Sequence, residues 1–411
     1  MTRQLRLVTE AVFFTITAWL VITLFATDRG SSLSGSSLLN SGLESVKLNA
    51  SLKINQQDLV APGYTLLPVN STEKVFLVNN QGKVLHYWNF DADRARLLPN
   101  GHIIAVHGSK WGMRNDPWKK LRPVVREYDW KGKIVWEFTA PDIAHHDITR
   151  LENGNTIFPV RSVISGNYKD IINDDAKRSL QIRSDSIYEV DKTGKVVWHW
   201  DAHDHLDLNS CGRRKCKNFS GKANAKDQLA DWTHINTTSI IPPNKWYDSG
   251  DKRFKPGNIM TLPRNWWMTF IIEKESGEIV WEYGGEYRGG LRGGHEAHMI
   301  PRGLPGAGNI LIFDNGRDND GSGSNILEIN PVTKKLVWVY DVGKDFDSRS
   351  AGSVQRLKNG NTLISEDVGG RVFEVNKQKE IVWELVLHDE LRISRAHKYN
   401  LDYCPQFKNF S

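Results

Sequence analysis

One short pattern recurs six times along the chain: GKVLHYW ending at Trp88, GKIVWEF around Trp136, GKVVWHW around Trp198, GEIVWEY around Trp281, KKLVWVY around Trp338 and KEIVWEL around Trp383. Each copy is a turn followed by β-branched residues in alternation with an aromatic, which predicts a turn entering a half-buried strand. Successive tryptophans lie 45 to 83 residues apart by subtraction, room for four short strands plus insertions, the size of a propeller blade. Between the copies run LLPNGHIIAVH from Leu97, RLENGNTIFPV from Arg150, PGNIMTLPR from Pro256, AGNILIFDN from Ala307 and RLKNGNTLISE from Arg356. Each pairs an N-G or G-N turn with a strand, and such turns join antiparallel neighbours. No long amphipathic helical pattern intervenes. The expected fold is therefore all-β, a six-bladed β-propeller whose repeated tryptophans pack between blades.

Ahead of the repeats, residues 7–27 carry no charge except Glu10, and Arg3 and Arg6 precede them. That length and flank predict a signal anchor or transmembrane helix over 1–27 with its N-terminus inside, which exports the body to the periplasmic, lumenal or extracellular side. Residues 28–55, rich in Ser and Gly, are expected to be a linker, and 56–411 the propeller. Only three cysteines are present. Cys211 and Cys216, in CGRRKC, could close a small surface loop in an oxidising compartment. Against 48 acidic residues stand 54 Lys and Arg, giving a net charge of +6 without a basic arm. No nucleic-acid partner is expected.

Aligning the copies on their G-N turns shows where polar groups converge. His146 precedes the second turn, His234 the third and His295 the fourth, so three adjacent blades would present imidazoles to one end of the channel. Seven residues after the turn glycine, Gly154 leads to Arg161 and Gly257 to Arg264, while Gly308 leads to Asn315 with Arg317 nearby. Three imidazoles alone would suit zinc or copper. A permanently charged guanidinium beside them argues instead for an anion, so no metal ligands are assigned.

These segments resemble the bacterial arylsulfotransferases that do not use a nucleotide sulfate donor. The resemblance runs from GYTLLPV at Gly63 to the last Trp repeat and is carried by HHDITRLENGN at His145, DWTHIN at Asp231, LPR at Leu262 and GGHEAHMIP followed by NILIFDNG. It implies a six-bladed propeller with its site in the central channel, and transfer of a sulfuryl group from an aryl sulfate to a phenol through a sulfated histidine. By that resemblance His295 is the nucleophile, with Gly294 where the family has Gln. His146 and His234 are the other site histidines, with His145 able to replace His146. Arg264 would grip the sulfuryl oxygens, with Asn236 a nearby polar contact and Arg161 and Arg317 additional substrate-binding candidates. Where the family has a Ser-Arg pair this chain has Ser324-Asn325. No cofactor is implied, and no GxxxxGK[ST] loop for a nucleotide is present. The rival readings are a non-catalytic or quinone-binding propeller, and an aryl sulfate hydrolase.

Overall fold

A computed structural model describes residues 47–216, 229–317 and 321–410. Its local order starts in the turns of the repeated pattern. The side chains of Asn79, Asp129, Asp191, Asn330 and Asn376 each accept backbone N–H bonds from two to four residues ahead, closing the turn on itself. The position that opens each repeat is left-handed: Gly82, Gly132, Gly194 and Gly277 have φ of 73° to 86°, and Lys334 and Lys379 take 58° and 73°. Four of the six patterns thus begin with glycine because that backbone suits it. A register shift sits beside every one of these turns and feeds the strand that follows.

The strands form six sheets around a central channel, antiparallel apart from Leu229–Asp231, which pairs parallel with Gln181–Val190 in the third. From the channel outward, blade one contains His397–Tyr399, Tyr64–Val69, Lys74–Val78 and Val84–Trp88; blade two contains Arg94–Leu97, Ile103–Val106, Val124–Tyr128 and Ile134–Thr139. Blade three is Thr149–Arg150, Thr156–Ile164, Gln181–Val190 and Val196–Asp201, and blade four Ile235–Ile240, Ile259–Pro263, Thr269–Ile272 and Ile279–Tyr283. Blade five is Glu296–Met299, Ile310–Asp314, Asn325–Ile329 and Leu336–Tyr340, and blade six Ser353–Arg356, Thr362–Glu366, Arg371–Val375 and Ile381–Leu387. The C-terminal strand completes blade one, which closes the ring.

All six repeated tryptophans lie on the fourth strand of their blades and reach the next blade. Their indole N–H groups donate to the carbonyls of Asp129, Lys192, Lys274, Pro331, Lys377 and Asn80 in chain order, at 2.8 to 3.3 Å. Every acceptor lies in or beside a repeat turn of the following blade, and the sixth bond returns to the first blade. At the channel the inner strands have a free edge, and side chains of the neighbouring blade cover it. Asn236, Thr237 and Ser239 donate to the carbonyls of Gly294, His295 and Ala297 at 2.8 to 3.0 Å.

One sequence expectation needs adjustment. The linker does not extend to residue 55: Ala50–Asn55 pairs antiparallel with Ile381–Leu387 as a fifth, outermost strand of blade six. Its partner lies more than 300 residues away, so a local reading of a Ser- and Asn-containing stretch gives no sign of it. The anchor helix at 1–27 and the start of the linker lie outside the described residues, and among the described residues no helix is long and apolar enough to cross a membrane.

Trp281 is buried and bonds a buried carbonyl, whereas Trp338 makes the equivalent bond at the surface. Trp281→Phe is therefore expected to destabilise by about 2–3 kcal/mol, and Trp338→Phe by less than about 1 kcal/mol, in denaturant unfolding of the full-length chain. Lys379→Gly relieves a left-handed lysine and is expected to stabilise by about 0.5–1 kcal/mol in the same assay.

Candidate active site

The chain enters the inner strands through unusual backbone. His146 (φ 63°) leads into blade three, His234 (φ 55°) into blade four, Gly293 (φ 80°) into blade five, Ala351 (φ 61°) into blade six and Arg395 (φ 59°) into blade one. A left-handed non-glycine residue costs about 1–3 kcal/mol and persists where the surroundings hold it. Here carboxylates do so: Asp93 accepts the backbone N–H of His146 at 2.8 Å, and Asp367 that of Arg395 at 3.1 Å. The turned backbone presents these side chains to a cavity of about 260 Å³ at one end of the channel, lined by His145, His146, His234, His295, Arg264 and Arg395 among others.

His146 and His234 meet directly, Nε2 to Nε2 at 3.0 Å. His146 Nδ1 lies 3.0 Å from Asp93 and His234 Nδ1 2.5 Å from Asp231, so each Nδ1 carries a proton that it donates to a carboxylate. Arg264 Nη2 also lies 2.9 Å from His234 Nδ1, but the shorter carboxylate contact requires the hydrogen, and Arg264 donates to Asp231 at 3.2 Å. Burial pushes the His234 pKa well down, and the charges of Arg264 and Arg183 add to this. At 3.0 Å the two Nε2 atoms require a proton between them. Burial pulls Asp93 and Asp231 the other way, yet His146 and Arg395 for the first, and His234, Arg183 and Arg264 for the second, hold both below the usual carboxylate range. One proton is shared by the pair, with a carboxylate at each end.

His295 is set differently. Its Nδ1 is 2.5 Å from Asn315 Oδ1, and the Asn315 amide nitrogen donates to the carbonyls of Ser348 and Ala351 at 2.5 and 2.8 Å. Two carbonyl acceptors fix the orientation of that amide, so its oxygen faces the ring and His295 is protonated on Nδ1. The lone pair therefore sits on Nε2. Burial lowers the His295 pKa well below its ordinary value, helped by Arg317, Arg264 and Arg395, so the ring is neutral. Burial together with Arg317 lowers Arg264 to about 9, which leaves it cationic at neutral pH.

His146, His234, His295, Arg264 and Arg161 all line the cavity, from three consecutive blades. His145 lines it too, but its ring is turned to Asp185 at 2.9 Å, and burial pushes its pKa down to about 4, so it does not take the place of His146. Arg161 is paired with Asp142 at 2.8 Å. Asn236, expected at the substrate, does not line the cavity; it is fully buried and braces Gly294 beside the nucleophile candidate. Arg317 is also outside the lining, donating to the carbonyl of Arg349 at 2.8 Å. Asn325 donates to buried Asp314 within its own blade. Sequence reasoning missed Asp93, Asp231, Asn315 and above all Arg395. Arg395 is 3% exposed, donates to the Asn236 carbonyl at 2.7 Å, and keeps a buried Nη1 without a partner among the described residues. Its signal was positional: it occupies the left-handed slot of His146 and His234, but in the strand that closes the ring. Among the described residues no group of three or more His, Cys, Asp or Glu is arranged for a metal ion.

Cys211 and Cys216 are joined by a disulfide with a Cα separation of 5.2 Å, and Arg214 of that loop donates to Asn265 beside Arg264 at 3.3 Å. Among solved structures, the chain is similar to a protein of unknown function from Bacteroides caccae, at 13% identity over 82% of this chain and 99% of that one, with a TM-score of 0.48. It is also similar to a streptogramin B lyase at 10% identity, covering 85% and 98% with a TM-score of 0.44, and to BamB from Moraxella catarrhalis at 10%, covering 86% and 83% with a TM-score of 0.36. No curated protein matches the chain. Residues 122–388 match the family described as arylsulfotransferase (ASST), a span that holds all three histidines and Arg264. The chain belongs to the arylsulfotransferase family.

Proposed function

We propose that the protein moves a sulfuryl group from an aryl sulfate to a phenol through a sulfated His295. The observation that carries this reading is the tautomer of His295: Asn315 holds the proton on Nδ1 and leaves an Nε2 lone pair in a cationic cavity. That lone pair attacks sulfur, the bond from sulfur to the aryl oxygen breaks, and the departing aryl oxide takes the proton from the His146–His234 pair. Negative charge on the three sulfuryl oxygens is met by Arg264 and Arg395, donors already in place before reaction. A phenol then returns its proton to the pair and attacks sulfur, the S–N bond breaks, and neutral His295 is restored. Covalent catalysis of this kind gives ping-pong kinetics. The disulfide supports an exported catalytic body, since such bonds persist in oxidising compartments. An N-terminal membrane anchor is part of the same proposal.

The decisive assay supplies an aryl sulfate and a phenol, without nucleotide, to the full-length chain. Parallel double-reciprocal lines are expected, with transfer abolished in His295→Ala; intersecting lines would remove the covalent intermediate, and release without phenol dependence would mark a hydrolase. His146→Gln is expected to slow poorly activated donors by about 10²-fold while sparing nitrophenyl donors, the mark of a lost general acid. In parent protein the burst of aryl oxide is expected to hold its rate as the pH falls from 7 through 6.5. An ordinary histidine nucleophile would lose half its activity near pH 6.5, whereas His295 stays unprotonated below that point.

A further inference from the structure

The cavity carries more cationic side chains than its sulfuryl end uses. Lys110, Arg122, Arg161, Arg183, Arg264 and Arg395 all line it. Five carboxylates stand against them: Asp93 and Asp367, and Asp142, Asp185 and Asp231 behind the lining. Arg264 and Arg395 belong to the sulfuryl end, near His295 on blade five. Arg122 enters from blade two, which lies diametrically across a six-bladed ring, with Arg161 and Arg183 beside it on blade three.

Arg122 is the group with least local reason to be there. Its Nε is buried without a hydrogen-bond partner among the described residues, and no ion pair holds its guanidinium. Its stem lies across Gly108, where a β-carbon would come within 2.9 Å of Arg122 Cγ, so the glycine makes room for it. Burial and then the like charges of Arg161 and Arg183 lower its pKa. Partly buried like charges at close range are unfavourable unless an anion completes them. Electrostatic steering alone would not call for a partly buried arginine with an unpartnered Nε on the far wall.

We infer that Arg122, with Arg161, forms a second anion subsite that takes a carboxylate, phosphate or sulfate carried on the aromatic ring of donor and acceptor. The inference rests on the sulfuryl-transfer reading, which places the reacting sulfur against His295 and therefore turns the far side of the ring toward blades two and three. In a ping-pong cycle donor and acceptor use the same aryl position in turn, so the preference applies to both.

The test compares 4-carboxyphenyl sulfate with 4-acetylphenyl sulfate, rings of similar size that differ by one charge, with phenol as acceptor and the full-length chain as enzyme. Parent protein is expected to favour the carboxylated donor in kcat/KM by about tenfold or more, the scale of a charge-assisted hydrogen bond. Arg122→Gln should bring the ratio close to one through a rise in KM for the carboxylated donor, and Arg122→Lys should recover part of it. A parent ratio near one overturns the subsite, as does an undiminished ratio in Arg122→Gln. Transfer from neither donor by parent protein defeats the transferase reading itself and the inference with it, whereas transfer without preference defeats the inference alone.

Discussion

The structure depends on a ring of six indole bonds. Each repeat spends its tryptophan on a carbonyl of the next blade, and the last repeat returns to the first through Trp383 and Asn80. A blade alone has two faces to bury and no fixed angle to its neighbour. The indole supplies both terms at once, a large apolar surface and one directional donor. Because the acceptors lie in or beside the repeat turns, the same few residues that shape a turn also receive the neighbouring blade. Local turn chemistry and long-range assembly are thus one constraint.

The site inherits its precision from that ring. His146, His234 and His295 come from three blades, and the 3.0 Å contact between the first two exists only while blades three and four keep their angle. The strained backbone at His146 and Arg395 persists for the same reason: Asp93 and Asp367 accept their N–H groups. Asp185 shows the arrangement at its densest. It accepts from His145 and Thr233 and from the backbone of Ile235, so one buried carboxylate ties blade three to both sides of His234.

The six blades were legible in the sequence because every Trp pattern is local, and the histidines because alignment on one turn brings equivalent residues to one end of the channel. What was hidden is what pairs across long separations. Arg395 sits in the strand that closes blade one and has no G-N turn ahead of it to align on. Asp93 and Asp231 look like ordinary loop acids until His146 and His234 turn their Nδ1 atoms toward them. Asn236 illustrates the opposite error: residue type and family likeness placed it at substrate, but its register in the inner strand points it at the Gly294 carbonyl.

On the proposed mechanism the surrounding cations also act on the nucleophile, His295. Beside Arg264, Arg317 and Arg395, proton binding to His295 is disfavoured, so its lone pair is available, but the same field draws electron density away from attack. A bound sulfate ester changes this balance. Its negative charge offsets the field at the moment the sulfur arrives, so the imidazole regains basicity only when there is something to attack. The free enzyme keeps a neutral, weakly reactive ring, and the complex a stronger one. Under that proposal a more anionic substrate offsets more of the field around His295, which links the reactivity of the ring to the anionic character of the molecule it accepts.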